Sequence, residues 1–144
     1  MIKLNKTDEE IMDNVNKILE WYAEKHTTSS IDNLLAASDK LSLYAVNLAH
    51  ITSVNKDTYL RAYLNRKWKF SKRKLHYINS GEKIGFAEEK ATLDLNNIRE
   101  EEIQSEILVD RLDLALRQVN AVIRSMQQRI SFLKIEKNNS DNGR

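Results

Sequence analysis

Apolar residues recur at intervals of three and four positions along most of the chain, the spacing that is typical of amphipathic helices. In the first segment this spacing relates Ile11, Val15, Ile18 and Tyr22. The letters TDEE stand just before them, with Thr7 placed as an N-cap and Glu10 three residues later, which is the capping-box arrangement. HTTSS (26–30) then interrupts the pattern, and Ser30 can cap a second helix.

Two further helical segments are predicted over residues 30–53 and 55–80. Between them the periodicity falters at TSVNKD, which leaves open either a break or one continuous helix. The later segment ends at NSGEKIG, where Gly81 suits the left-handed residue that follows a helix C-terminus. From residue 86 to about 137 no strong breaker occurs, which predicts one long helix.

The last part of this long helix has apolar residues at the alternating three and four spacing of a coiled-coil seam. The residues that follow it are Leu116, Val119, Ile123, Met126, Ile130 and Leu133. Two interpretations remain open at this point. The seam packs against the first two helices of the same chain, or it is the interface of a homo-oligomer.

Composition supports a helical fold. The chain has no proline and three glycines among its 144 residues, although strands that are joined by tight turns depend on these residue types. We therefore predict an all-α fold in which long amphipathic helices form a helical hairpin or bundle with a coiled-coil-like C-terminal helix. One domain is predicted over residues 1–137, followed by a disordered polar tail over 138–144.

The chain contains no cysteine, so it cannot form a disulfide or a thiolate metal site. No run approaches the roughly 18 consecutive apolar residues that predict a membrane span, and the first residues lack the apolar core of a signal peptide. We expect a soluble protein of the cytoplasm that does not associate with membranes.

Charge is strongly segregated although the net charge is only +2. Residues 61–81 hold seven cationic side chains and no acid, whereas residues 88–113 hold nine acids against three cations. Either the two blocks neutralise each other across the NSGEKIG turn, or the basic block faces a polyanion such as nucleic acid.

A helical wheel of residues 59–78, which include the basic segment RKWKFSKRKLHY (66–77), gives the helix an apolar side with Phe70, Tyr77, Leu60, Leu64 and Leu75. The opposite, outer side holds the cations Arg61, Arg66, Lys69, Lys72 and Arg73. Trp68 falls at the border, where it could stack on a base. Lys67 and Lys74 fall within the apolar side, so we expect them to pair with acids of residues 88–113. The candidate DNA-binding residues are Arg61, Arg66, Trp68, Lys69, Lys72, Arg73 and Lys74.

Nothing in the sequence indicates catalysis. His26, His50 and His76 are too far apart in sequence to form a metal-binding motif, and no glycine-rich phosphate loop occurs. No pairing of a nucleophile with a base stands out either. We therefore expect a protein without catalytic residues, metal or cofactor.

Several of these features occur in an order that resembles a known family. The elements are HITS (50–53), the basic SKRK (71–74) shortly before a Ser-Gly turn, and a long terminal helix that begins with GFAEEK. Over about residues 44–134 the chain resembles the UvsY-type recombination mediators of tailed phages. The basic cluster of that family matches Lys72, Arg73 and Lys74, although one of its cationic positions falls on Leu75 here.

The resemblance implies a ring-like homo-oligomer that binds single-stranded DNA. It also implies that the protein helps to load a recombinase onto DNA covered by a single-strand-binding protein, during recombination and DNA repair. We predict this function from the sequence. The alternative is a helical protein-interaction module without DNA binding, either a phage-encoded inhibitor or a structural component of a coiled-coil assembly.

Overall fold

The computed structural model describes residues 3–143 and confirms the all-α prediction. About 90% of the protein is helical, and no strand occurs in the described part of the chain. The four helices, in chain order, are α1 (Lys6–Lys25), α2 (Ile31–Asn79), α3 (Ile84–Asp94) and α4 (Asn96–Asn142). Within these four, no segment is long and apolar enough to span a bilayer.

The helices form two compact units. The central unit comprises residues 52–111, which include the second half of α2, all of α3 and the first part of α4. The terminal unit comprises residues 4–51 and 112–143, which include α1, the first half of α2 and the remainder of α4. The prediction of one domain over residues 1–137 stays a prediction.

The terminal unit has a conventional apolar core. Leu34, Leu41 and Leu48 of α2 are seven residues apart, and all three are fully buried. From α1 the core receives Val15 and Tyr22, whose hydroxyl lies 2.5 Å from the hydroxyl of Ser125 on α4. A seven-residue spacing keeps side chains on one face of a helix, so α2 contributes a single apolar stripe to this core.

The predicted seam of α4 lies in the terminal unit. Val119, Met126 and Ile130 are buried inside the chain, whereas Leu116, Ile123 and Leu133 are half-buried. The structure thus favours the intramolecular interpretation for the three buried side chains. A homo-oligomer would have to use other surfaces, because these three already contribute to the chain's own core.

The central unit has a smaller and more polar core. Its buried apolar side chains are Ala87, Ala91, Leu95 and Val109, and they are joined by the buried polar residues Thr52, Glu102 and Ser105. Small apolar side chains bury little area, so hydrophobic burial contributes less here than in the terminal unit. Polar contacts between α2 and the two following helices therefore have a larger part in holding this unit together.

α2 runs without interruption from Ile31 to Asn79, which decides the open question at residues 52–57 in favour of one helix. Its C-terminus has the Schellman hydrogen bonds, in which the amides of Gly81 and Glu82 donate to the carbonyls of Ile78 and Tyr77. Gly81 has φ +95°, a conformation that other residues rarely adopt. The prediction for Gly81 is therefore confirmed.

The prediction of one helix over 86–137 is wrong, because the chain turns at Leu95 between α3 and α4. Leu95 has φ −103° and ψ 11°, outside the helical region, and its side chain is buried. Asp94, Asn96 and Asn97 surround it, and their short polar side chains compete with the helical backbone for hydrogen bonds. A cluster of three such residues is the sequence signal for this turn.

α4 also continues beyond the predicted end of the ordered chain. Residues 138–142 are helical, whereas the sequence predicted a disordered tail from residue 138. Their side chains are exposed, so this last turn is held by its own backbone hydrogen bonds rather than by tertiary packing.

The N-cap of α1 differs from the predicted one. The helix begins at Lys6, and the side chain of Asn5 accepts a 2.8 Å hydrogen bond from the amide of Asp8. Thr7 lies inside the helix, so the capping box predicted for Thr7 and Glu10 is wrong. Asparagine caps a helix at least as well as threonine, and capping at residue 5 lengthens the helix by two residues.

We expect Asn5→Ala to lower the free energy of unfolding by about 1 kcal/mol, since it leaves the amide of Asp8 without its side-chain acceptor. The measurement is urea unfolding followed by circular dichroism. Thr7→Ala is the matched control and should change stability by less than about 0.5 kcal/mol. A larger loss from Thr7→Ala than from Asn5→Ala would contradict the observed cap.

Candidate nucleic-acid interface

Three of the seven predicted DNA-binding residues form ion pairs within the central unit. Arg61 donates from Nε to Asp57 Oδ2 at 2.8 Å on the exposed surface of α2, a contact that raises the pKa of Arg61. Arg66 binds Glu102, and Lys74 Nζ lies 2.6 Å from Glu88 Oε1. These cations are partly neutralised and are less available to a phosphate backbone.

The Arg66 contact belongs to a buried charge cluster. Glu102 is only 1% exposed, and it accepts hydrogen bonds from Nε and Nη2 of Arg66 and from Nη1 of Arg99. The side chain of Arg66 is 23% exposed, so its prediction as part of an outer basic face is wrong. Its guanidinium serves first to satisfy a buried carboxylate, which is costly to leave without a partner.

Lys67 and Lys74 were both expected to pair with acids of residues 88–113. Lys74 does so through Glu88, which confirms its prediction. Lys67 instead lies with Nζ 4.5 Å from the ring centroid of Tyr63, a cation–π contact on an exposed part of α2. The two blocks therefore neutralise each other in part, which leaves a subset of the basic residues outside these pairs.

The remaining cations meet in one groove of the central unit. Lys69, Lys72, Arg73 and His76 of α2 line it, opposite Asp94, Leu95 and Ile98 around the break between α3 and α4. Within residues 3–143, Lys69, Lys72 and Arg73 have no ion pair with a carboxylate. We call this surface the basic groove. It brings together three of the predicted cations and adds His76, which the sequence analysis had not assigned to DNA binding.

Trp68 lies beside the basic groove on α2. Its side chain is 57% exposed, and Nζ of Lys72 lies 3.9 Å from the centroid of its ring. The ring is therefore accessible from solvent and is held next to a groove cation. An accessible indole of this kind is suited to stack on an unpaired base, and this role of Trp68 stays a prediction.

One carboxylate moderates the positive charge of the basic groove. Asp94 lines the groove and accepts a hydrogen bond from the hydroxyl of Tyr77. This hydrogen bond is the main reason that the pKa of Tyr77 is raised above its usual value. Three permanent cations against one carboxylate give the groove a net positive charge. This charge favours the binding of a polyanion from outside over neutralisation by the chain's own acids.

The face that α2 presents to its neighbours differs from the predicted one. Phe70 and Tyr77 are half-buried, as expected for packing residues. Contrary to the helical wheel, their apolar neighbours Leu60, Leu64 and Leu75 are exposed. Arg66, Lys74 and Tyr77 all contact acids of α3 or α4, so the side of α2 that faces these helices carries polar contacts as well as apolar ones. The hypothesis that the basic and acidic blocks neutralise each other across the NSGEKIG turn already indicated that acids would contact this side of α2.

In the described part of the chain, no group of three histidine or acidic side chains is placed to hold a metal ion. The geometry of the central unit is thus that of a basic groove beside an exposed tryptophan. No protein-family model, no curated protein and no solved structure matches this chain.

Proposed function

We propose that the protein binds single-stranded DNA through the basic groove and acts as a recombination mediator. The observation that carries this proposal is the convergence of Lys69, Lys72, Arg73 and His76 in one groove, although Arg66 and Lys74 are held by acids. Cations that the fold leaves outside its ion pairs are the ones that can displace counterions from a phosphate backbone.

The chemistry of the groove suits an unpaired strand. Lysine and arginine contacts to phosphate are independent of sequence, and Trp68 beside them offers a flat surface for a base. Basic side chains that track a backbone next to an aromatic ring are the usual combination in proteins that bind single strands. A duplex offers its phosphates but not its base faces, so it would lose the stacking contribution.

The role as a mediator follows from the resemblance to the UvsY-type family. In this role the protein assembles into a ring-like homo-oligomer, so that several basic grooves contact one strand and the avidity exceeds that of a single groove. The DNA held in this way is offered to a recombinase while a single-strand-binding protein is displaced. Exposed apolar residues of α2, including Leu60, Leu64 and Leu75, are surfaces that such an assembly could use.

One observation favours the alternative of a protein-interaction module without DNA binding. The same exposed apolar residues would suit a protein partner, and the ion pairs of Arg66 and Lys74 give part of the basic block a purely structural role. In this alternative the basic groove carries no ligand. DNA binding therefore distinguishes the two proposals directly.

The test is a titration of a labelled single-stranded oligonucleotide, followed by fluorescence anisotropy between about 50 and 200 mM salt. We expect micromolar or tighter binding at low salt that weakens steeply as salt rises, with weaker binding to a duplex of the same length. Absence of binding at low salt would reject the proposed function and support the protein-interaction module.

A further inference from the structure

The two walls of the basic groove differ in charge. The wall that belongs to α2 holds the cations of the groove, together with His76. The opposite wall, around the break between α3 and α4, is formed by Asp94, Leu95 and Ile98. Of the described residues that line the groove, Asp94 is the only one with a carboxylate. One wall therefore attracts phosphate, and the other repels it.

We propose that Asp94 makes the basic groove selective for an unpaired strand, because its negative charge excludes the phosphate backbone of a duplex. This inference rests on the proposed function and adds to it the residue that sets the preference. Asp94 acts here by repulsion, since a binding site can gain specificity from charges that reject the wrong ligand as well as from contacts to the right one.

The carboxylate of Asp94 is held at this wall with its charge intact. Asp94 is the last residue of α3, and its Oδ2 accepts a hydrogen bond from the hydroxyl of Tyr77 on α2. A hydroxyl is a neutral donor, so this hydrogen bond does not cancel the negative charge. Within residues 3–143 Asp94 forms no ion pair, although three cations line the same groove.

A single strand can satisfy both walls at once. Its bases are unpaired, so its phosphates can face the α2 cations while its bases turn to the opposite side. The bases then lie toward Asp94 and the half-buried side chain of Ile98. A carboxylate is compatible with base edges, because the amino groups of bases donate hydrogen bonds to it. No phosphate has to approach Asp94 in this arrangement.

A duplex cannot satisfy both walls. Its bases are paired inside, so the outer surface of each backbone consists of sugar and phosphate alone. Each strand carries one phosphate about every 3.4 Å along the helix axis. A backbone of a duplex that enters the groove therefore presents phosphate to the wall of Asp94 as well as to the cations, and sliding the duplex along the groove does not remove this repulsion.

The test compares Asp94→Asn with the wild type on two DNA molecules of equal length, a single strand without self-complementarity and a duplex. Asparagine keeps an oxygen that can accept the hydrogen bond of Tyr77 but carries no charge. In fluorescence anisotropy near 0.1 M salt, we expect the variant to bind the duplex about fivefold more tightly than the wild type does. Its affinity for the single strand should change by less than about twofold, because phosphates on the α2 wall lie farther from Asp94 and salt screens the remaining repulsion.

Two further variants separate the charge of Asp94 from its shape and from the overall charge of the protein. Asp94→Glu keeps the negative charge and should reject the duplex as the wild type does. Glu89→Gln removes one charge from the exposed surface of α3 outside the basic groove, so it should change neither affinity. Should circular dichroism show that Asp94→Asn loses helicity, Asp94→Ser replaces it, since serine is also neutral.

The outcomes separate this inference from the proposed function. If Asp94→Asn leaves duplex binding unchanged or undetectable, or tightens both DNA molecules equally, Asp94 does not select the unpaired strand. An equal gain in duplex binding from Glu89→Gln would assign the effect to overall charge and also overturn the inference. In each of these cases, DNA binding through the basic groove would stand. Absence of single-strand binding by the wild type would overturn both proposals.

Discussion

Replacing Lys69, Lys72 and Arg73 together with alanine is expected to weaken the binding of single-stranded DNA about a hundredfold near 0.1 M salt. The three side chains line the basic groove and have no ion pair within residues 3–143. Each lost phosphate contact lowers the slope of log K against log salt by about 0.7 for a single strand, so the slope should fall by about 2. The measurement is a set of anisotropy titrations at several salt concentrations.

The control variant removes the same charge from the terminal unit. Lys40, Lys134 and Lys137 are exposed there, and their joint replacement by alanine should leave the salt slope unchanged. Alanine is the strongest helix former, so both triple variants should keep their helicity. An equal loss of affinity in the two variants would show that overall charge, not the basic groove, attracts DNA.

Two single replacements separate the groove from the cluster that the resemblance implies. Lys69 lines the basic groove, whereas Lys74 lies outside its lining and pairs with Glu88. We therefore expect Lys69→Ala to reduce affinity more than Lys74→Ala. The reverse order would favour the cluster Lys72, Arg73 and Lys74 over the groove assigned from the structure.

Replacing Glu102 with alanine is expected to lower the free energy of unfolding by about 3 kcal/mol. The change removes the buried carboxylate that both Arg66 and Arg99 contact, and it leaves two cations facing each other. The value lies at the lower end of the range for broken buried ion pairs because both arginines retain some access to water. Thermal unfolding should show a midpoint about 10 °C lower.

Glu101→Ala is the control for this prediction. Glu101 is the neighbouring residue of α4 and is exposed, so its replacement should change stability by less than about 0.5 kcal/mol. Similar losses for the two variants would contradict a special role of the buried cluster. A folded Glu102→Ala protein that keeps the wild-type midpoint would show that the arginines find equivalent partners elsewhere.

The helical architecture could be predicted largely from local sequence patterns. The periodicity of Val15 and Tyr22, the near absence of turn-forming residues and the position of Gly81 predicted an all-α chain and the end of α2. The turn at Leu95 was not predicted, because no proline or glycine marks it in the sequence. The weak helix formers around Leu95 end the helix only because the turn also buries the Leu95 side chain.

The candidate site was predicted as a stretch of sequence rather than as a surface. The basic block was evident, and its segregation from the acidic block suggested that part of it would be neutralised. A helical wheel ranks faces by hydrophobicity, so it turned Arg66 outward and Leu64 inward. In the structure, Arg66 instead pairs with the buried Glu102, and Leu64 is exposed.

The sequence by itself determined the helices and the separation of charge, because helical periodicity, turn chemistry and residue type are local properties of the chain. The tertiary structure alone decided which cations remain available. An ion pair such as that of Lys74 with Glu88 depends on the position of a residue in another helix, and no local pattern specifies that position. The basic groove is what remains after those pairs have formed, and Lys69, Lys72 and Arg73 became its candidates only once α2, α3 and α4 had packed together.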